Sequence, residues 1–390
     1  MANPISREEF EGRRAAAIAS AREHGFDALL LCARGGGTVD RYANVFYLTN
    51  FYSSFPYIPD EPGHWSGRAH SYLLLPLGAP PHLVADLPYV QDVALDAACI
   101  EITEDVIGSV IRCLRERGLG EAHIGLVGED TLPLGHYRQI HAALPGIRWE
   151  AADRIMARLR AIKSPGEIER LRAAARIGSR MLDAMMEAAV PGARHGDVVA
   201  AGLQVLVPAG GILYNSFMAS GRGGDRPSAV RHSFPTWGAS EPLAEGQWLR
   251  LAISGVLDGY YFDVSRARPI GPPSNAQIDA FEAAIEVVNA GLAAARPVAT
   301  AADVANAALA RQAALGYPIQ GVFSGLGHGI GLGWDSPWLV PDEVMRLAPG
   351  MVINVERTVS RDGYVGDFEE TVLITETGSE LLTDARVRRW

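Results

Sequence analysis

The chain has 390 residues, of which 48% are hydrophobic and 21% are charged. This composition is typical of a folded globular protein of about two domains and excludes a chain that is mainly disordered. A net charge of −10 argues against nucleic acid or an anionic membrane as the main partner. No apolar run approaches the roughly 18 residues of a transmembrane helix, and the acidic opening MANPISREEF predicts no secretory signal. Cys32, Cys99 and Cys113 show no C-x-x-C spacing, which predicts reduced core thiols in a cytoplasmic protein.

Residues 1–155 predict a compact α/β domain. An Ala-rich helix over 6–24 precedes a buried strand, FDALLLC. The stretch from 40 to 70 is rich in aromatic residues, proline and glycine, which predicts a long loop around a short strand. Two more strands, SYLLLPL and PHLVADLP, follow, and residues 104–146 alternate between helical and strand patterns.

Residues 156–390 predict a second domain that begins with a long helix. Ser164 suits the N-cap, Pro165 the first helical position and Glu167 the third, which is the pattern of a capping box. Strands are predicted from 213 to 271, helices from 275 to 315 and further strands from 319 to 376. The fold class that follows is α+β.

The sharpest chemical signal lies in the segment MVINVERTVSRDGYVGDFEETVLIT. Asp362-Gly363 predicts a two-residue hairpin turn, and pairing through that turn places Glu356 directly opposite Glu369. Opposed carboxylates repel each other and need a cation or a shared proton, unless both face solvent. The polar residues that alternation adds to the same face are Asn354, Thr358, Asp367 and Thr371.

A second hairpin is predicted around Asp258-Gly259, with Ala252 and Asp263 across from each other or on a diagonal. Aspartate is disfavoured in mid-strand, so Asp263 is either functional or a buried partner of Arg266.

Two histidines lie in unusual surroundings. In GLGHGIGLG, alternating glycines clear one face of a strand for close approach of a backbone or a ligand, while His328 lies on the other face as a ligand, an acid/base or a core residue. His232 lies among Arg222, Arg226 and Arg231 in a segment that is either a site for acid/base chemistry beside an anion or a mobile surface loop.

These segments, after the helix of IKSPGEIERLR, resemble the pita-bread hydrolases, the family of creatinase, aminopeptidase P, prolidase and methionine aminopeptidase. ANVFYLTNF and SYLLLP resemble the creatinase-like N-terminal domain of that family, and residues 156–390 resemble its catalytic domain. The resemblance implies a homodimer in which the N-terminal domain of one subunit covers the active site of the other.

In the metallopeptidase members, an Asp, Asp, His, Glu, Glu set holds two divalent metals. The resemblance carries four of these ligands to Asp263, His328, Glu356 and Glu369, while the first falls at Ala252, which offers no oxygen. It therefore implies a single ion, with one imidazole and three carboxylates that suit Mn, Fe or Zn. Trp334 and Asp335 stand where metallopeptidases carry a further His and Glu.

Creatinases, in contrast, use no metal and rely on a histidine as acid/base. The resemblance implies that role for His232, and it nominates Trp65 and Arg68 for substrate binding. Asp263 and Trp334 are further predicted substrate-binding residues. In this interpretation the cluster of Asp263, His328, Glu356 and Glu369 holds a cationic substrate group instead of a metal. The expected basic residue is missing from WDSPWLVPDE, which argues against creatine itself.

Our main hypothesis is a hydrolase of a C–N bond in a small polar substrate, creatinase-like or ectoine-hydrolase-like. His232, His328, Glu356 and Glu369 are its predicted catalytic residues, and the aromatic loop over 42–65 is expected to exclude water. Three alternatives remain open: a dipeptidase or aminopeptidase of the Xaa-Pro type, a metal-dependent lyase acting on a small zwitterion, and a binding module without activity.

Overall fold

The structure, a computed structural model, describes residues 5–35, 40–53, 55–86, 92–223, 231–232, 240–319, 325–388 and 390, with backbone alone at 40, 231 and 232. The chain divides into two compact units, Pro4–Arg160 and Ala161–Trp390. Over the described residues, no helix is both long and apolar enough to cross a bilayer.

Over the residues that the structure describes, the N-terminal unit is built on a six-stranded mixed sheet with strand order β4-β3-β2-β1-β5-β6. Its strands are β1 (Ala28–Arg34), β2 (His70–Pro76), β3 (His82–Ala85), β4 (Ile100–Ile102), β5 (His123–Val127) and β6 (Arg148–Ala151). Its helices are α1 (Arg7–Glu23), α2 (Ala43–Thr49), α3 (Val106–Glu116), α4 (Leu134–Ala143) and α5 (Asp153–Ala161), which ends at the boundary.

The short strand predicted within residues 40–70 is wrong, because Ala43–Thr49 is the helix α2. Aromatic and β-branched residues favour a strand locally, but tertiary contacts override that preference. Arg13 and Arg14 of α1 donate to the backbone oxygens of Tyr47 and Leu48 at distances of 3.0 and 2.7 Å. These bonds satisfy carbonyls that a short helix leaves unpaired at its C-terminal end.

The C-terminal unit carries a nine-stranded sheet over its described residues, with order β12-β11-β13-β14-β10-β9-β7-β8 and β15 beside β14. The strands are β7 (Ile212–Gly221), β8 (Arg231–His232), β9 (Trp248–Leu257), β10 (Tyr260–Pro269), β11 (Gly327–Ile330), β12 (Trp334–Trp338), β13 (Val352–Arg361), β14 (Tyr364–Ile374) and β15 (Ser379–Leu381). The helices are α6 (Pro165–Ala188), α7 (His195–Leu206), α8 (Asn275–Ala294) and α9 (Ala301–Ala314).

Period-two alternation separates the two faces of this sheet. One face packs on the helices: Phe262 and Val264 join the core beneath α6, and Val355 and Phe368 join the core beneath α8 and α9. Residues of β9, β10, β13 and β14 that alternate with these are thereby turned to the opposite face. The helices therefore cover one face of the sheet, and the candidate site residues lie on the opposite face.

The capping box at the start of α6 is confirmed. The Ser164 side chain accepts from the backbone N–H of Glu167, and the Glu167 carboxylate accepts from the backbone N–H of Ser164 at 3.1 Å. Cys32, Cys99 and Cys113 are free thiols; Cys99 is half-buried and lies outside the core that was predicted for it.

Candidate active site

The C-terminal hairpin has the predicted register, with Glu356 of β13 opposite Glu369 of β14. The pair Arg266 and Phe368 aligns β10 with β14, and extending that register places Ser265 beside Glu369. Ser265 pairs in turn with Ala252 of β9. Side chains that lie opposite in antiparallel strands share a face, so four strands contribute one row of positions across the sheet.

A neighbouring row on the same face contains Asp263 and His328. Asp263 pairs with Ser254 of β9, which places Asp263 and Ala252 on a diagonal, and His328 of β11 pairs with Asn354 of β13. Asn354 donates to Oε1 of Glu369 at 2.7 Å and accepts from Thr371 at 2.7 Å. The amide therefore fixes the orientation of the Glu369 carboxylate.

The alternating glycines around His328 allow close approach of the backbone, as the sequence predicted. A Cβ at Gly327 would overlap the carbonyl oxygen of Asn354, and one at Gly329 would overlap that of Ser336. Gly327 also has a φ of +132°, a backbone conformation that residues other than glycine rarely adopt. Glycine thus lets β11 lie against both neighbours and sets the position of His328.

His328 is oriented as a metal ligand would be. Its Nδ1 lies 2.9 Å from the carbonyl oxygen of Gly329, and since a carbonyl can only accept, Nδ1 carries the proton. The lone pair of Nε2 is then free to face Oδ2 of Asp263, which is 3.7 Å away. A backbone acceptor on the second ring nitrogen is the usual support of a ligating histidine.

Asp263 receives a hydrogen bond from a neighbouring tryptophan. The indole Nε1–H of Trp334 donates to Oδ2 of Asp263 at 2.6 Å. The open alternative that Asp263 is the partner of Arg266 is wrong, because Arg266 lies toward the helices and pairs with Glu370 at 2.6 Å.

Potential ligand atoms of Asp263, His328 and Glu369 all lie within 4.8 Å of one another. Glu356 is partly exposed and faces the same space, outside this close group. Burial, and then the charge of Glu356, raises the pKa of Asp263 well above its ordinary value. Burial together with Asp263 and Glu356 does the same to the pKa of Glu369, while burial lowers the pKa of His328 to about 4. Burial and the neighbouring carboxylates thus disfavour the ionised form of Asp263 and Glu369. A cation bound between them would stabilise that form.

The cluster opens into a cavity of about 390 Å³. Phe217, Trp334 and Trp338 supply aromatic surface to its walls, and the His328 ring lies with its centroid 5.6 Å from the ring centroids of both tryptophans. Apolar walls around a few convergent polar groups are typical of a small-molecule site, and the volume is within the usual range.

Arg250 also lines this cavity and was missed by the sequence analysis. It lies two residues before Ala252 on β9, and its Nε is 3.0 Å from Oδ2 of Asp367 on β14. That carboxylate, and secondarily Glu356 and Glu369, raises the pKa of Arg250. Period-two counting from Ala252 would have placed Arg250 on the site face, but only the strand order brings it to Asp367.

His232 belongs to β8, where its backbone pairs with that of Phe217 on β7. Since Phe217 pairs in turn with Ala252, the backbone of His232 lies at the edge of the row that contains Glu369 and Glu356. Its side chain, the side chain of Arg231 and the whole of Arg226 lie outside the described residues. Arg222 is exposed.

Trp65 and Arg68 lie in the N-terminal unit, whereas the cluster lies in the C-terminal unit. The indole of Trp65 donates to the carbonyl of Pro59 at 3.0 Å. Arg68 donates from Nε to the fully buried carboxylate of Asp86 at 3.1 Å. Their substrate-binding roles, like the homodimer, stay predictions.

Two family models match the chain: Metallopeptidase family M24 over residues 169–376, and the Creatinase/Prolidase N-terminal domain over residues 13–162. The chain belongs to metallopeptidase family M24. As an M24 protein it has a creatinase-type N-terminal domain followed by a pita-bread catalytic domain, as predicted, and it is a hydrolase acting on C–N bonds.

Among relatives of this M24 hydrolase, ectoine hydrolase from Halomonas elongata is 28% identical over 287 residues, which cover 70% of each chain. The probable dipeptidase PepE from Mycobacterium tuberculosis is 29% identical over 79% of this chain and 81% of its own. Dipeptidase PepE from Mycobacterium ulcerans has a solved structure that matches with a TM-score of 0.78 at 24% identity, covering 99% of this chain and 98% of its own. At that identity the match shows the fold alone.

M24 enzymes generally use divalent metals, and the donor set of this chain fits one ion. The imidazole Nε2 of His328 and the carboxylates of Asp263 and Glu369 converge, and Glu356 faces them from the adjacent strand. Ala252, which lies in the row of Glu369 and Glu356, carries no oxygen donor in its side chain.

Proposed function

We propose that this M24 hydrolase cleaves an amide, amidine or urea-like C–N bond in a small polar substrate, with one divalent cation, Mn, Fe or Zn, at its centre. Asp263, His328, Glu356 and Glu369 would hold the ion. When bound, such an ion acidifies a water molecule and polarises the bond to be cleaved. The observation that carries the proposal is Ala252 in the row of Glu369 and Glu356, which leaves donors for one ion rather than two.

The protein's own groups divide the remaining work. The Asn354 amide holds the Glu369 carboxylate, and the Trp334 indole holds that of Asp263, so both oxygen donors are oriented before substrate arrives. Phe217, Trp334 and Trp338 exclude water from the reacting bond. His232 is our proposed acid/base; the support for it is the place of its backbone at the edge of the row.

A dipeptidase of the Xaa-Pro type is the second candidate. It is favoured by the similarity to the probable dipeptidase PepE over 79% of this chain. The two candidates differ in their substrates: ectoine is a small cyclic amidine, whereas a dipeptide presents a linear amide with charges at both ends.

The test combines metal content with a substrate panel. Full-length protein purified without chelator or added metal should contain about one equivalent of Mn, Fe or Zn per chain by plasma mass spectrometry. It should hydrolyse ectoine or related amidines and cyclic amides with a higher kcat/KM than dipeptides ending in proline. Preference for the dipeptides would establish the second candidate, and activity without metal that is indifferent to chelator would reassign the cluster to a cationic substrate group.

Glu369→Gln is the decisive variant. It keeps the volume and an acceptor for Asn354 but removes a ligand charge, so turnover should fall by roughly 100-fold or more. The metal-free variant should be at least as thermally stable as metal-free wild type, because one of several mutually repelling buried carboxylates is gone. Full activity in a folded Glu369→Gln protein would contradict the site assignment.

A further inference from the structure

Arg250 occupies the site face beside the position that lacks a ligand. Arg250, Ala252 and Ser254 alternate along β9, and all three line the cavity. The Nε of Arg250 lies 3.0 Å from Oδ2 of Asp367, whose side chain is 2% exposed, while 23% of the Arg250 side chain is exposed. The guanidinium is therefore anchored at its inner side and reaches the cavity.

One divalent ion together with Arg250 offsets all but one of the negative charges on this face. Among the described residues of the strands, four carboxylates face this side of the sheet, those of Asp263, Glu356, Glu369 and Asp367. When one divalent ion is bound, two negative charges remain uncompensated, and the positive charge of the Arg250 guanidinium reduces that number to one. A second divalent ion would make the site net positive, since Ala252 supplies no fifth carboxylate.

We propose that Arg250 takes the electrostatic place of a second metal ion, so that this site is restricted to one ion by the guanidinium as well as by the missing carboxylate. Asp367 is its positioning partner, and Thr358 in turn donates to Asp367. The inference rests on the proposed metal site, and it predicts that restoring the carboxylate alone is not enough for a second ion to bind.

A purely structural ion pair would give a different result. If Arg250 served only to neutralise buried Asp367, a carboxylate introduced at 252 would complete the ligand set and recruit a second ion whether or not Arg250 were present. If Arg250 substitutes for that ion, the new carboxylate would pair with the guanidinium instead.

The experiment measures Mn²⁺ bound per full-length chain after equilibrium dialysis. Wild type, Ala252→Asp and Arg250→Gln should each bind one equivalent, and Arg250→Gln combined with Ala252→Asp should bind two. A triple variant that adds Asp367→Asn removes both members of the buried pair, so no carboxylate is left unpaired if the double variant does not fold. It should also bind two.

Each contrary outcome has its own meaning. Two equivalents in Ala252→Asp alone, or one in a folded double or triple variant, would overturn the role of Arg250 while leaving the single-ion site of the wild type intact. Two equivalents in wild type would also overturn it. No bound Mn²⁺ in wild type would reject the proposed metal site itself, and the role of Arg250 with it.

Discussion

Trp334 acts on the site through a single hydrogen bond, the 2.6 Å contact from its indole Nε1–H to Oδ2 of Asp263. This donor stabilises the ionised carboxylate, which burial otherwise disfavours, and it fixes the direction of the other lone pairs. Partners of this kind around a metal ligand are often worth 10- to 100-fold in metal affinity.

We therefore expect Trp334→Phe to weaken Mn²⁺ binding by about 10-fold or more, since phenylalanine keeps an aromatic wall but lacks the N–H. The measurement is a competition titration against a chelator of known affinity. Trp338→Phe is the matched control, because Trp338 lines the same cavity and packs on His328 from another direction. Equal weakening in both variants would show that ring packing, not the hydrogen bond, matters.

At the scale of elements, β11 is placed by contacts that a side chain would destroy. Its residues pair with β13 on one side and β12 on the other, and Gly327 and Gly329 face backbone oxygens of both neighbours. Because His328 lies between these glycines, the position of the ligand depends on the absence of two Cβ atoms.

Gly329→Ala should thus force β11 away from Ser336, lowering the free energy of unfolding by about 1–3 kcal/mol, as overpacking does, and weakening metal binding. Urea denaturation and chelator competition would measure the two effects. Gly378→Ala is the control, since a Cβ there meets open space. A Gly329→Ala protein with wild-type stability and metal affinity would contradict the close-packing account.

At the scale of the whole molecule, we expect folding stability to depend on pH through a buried histidine of the N-terminal unit. In the N-terminal unit His70 is fully buried, and its ring centroid is 4.9 Å from that of His136. Burial, with a smaller effect of the neighbouring His136, lowers the pKa of His70 to about 4 from its ordinary 6.5. The unfolded chain then binds the proton more readily than the folded unit does.

Because the folded unit binds this proton less readily, acid destabilises it. The stability contributed by neutral His70 is complete above pH 6.5, the ordinary pKa, and is lost as the pH falls through 4, the lowered pKa. The loss should reach about 3 kcal/mol at the acid end. Urea titrations at pH 7 and pH 4.5 would measure it, with His70→Gln as the variant whose stability should change less between the two. An equally steep loss in His70→Gln would assign the acid sensitivity to other groups.

Local patterns in the sequence were sufficient for several features of the site. Asp362-Gly363 fixed the hairpin, and alternation with a period of two then placed Glu356 opposite Glu369 with Asn354 and Thr371 beside them. The capping box at Ser164 likewise depends on side chains within one helical turn. Each of these features is decided by residues that are near one another along the chain, so their spacing contains the necessary information.

Other features were decided only when distant segments met. Ala43–Thr49 has strand-forming residues, yet it is a helix because Arg13 and Arg14, more than 30 residues earlier, satisfy its last carbonyls. Arg250 meets Asp367 only because β10 lies between β9 and β14. The sequence by itself determined which residues share a strand face; tertiary structure decided which strands lie side by side, since burial and hydrogen bonding between remote segments set that order.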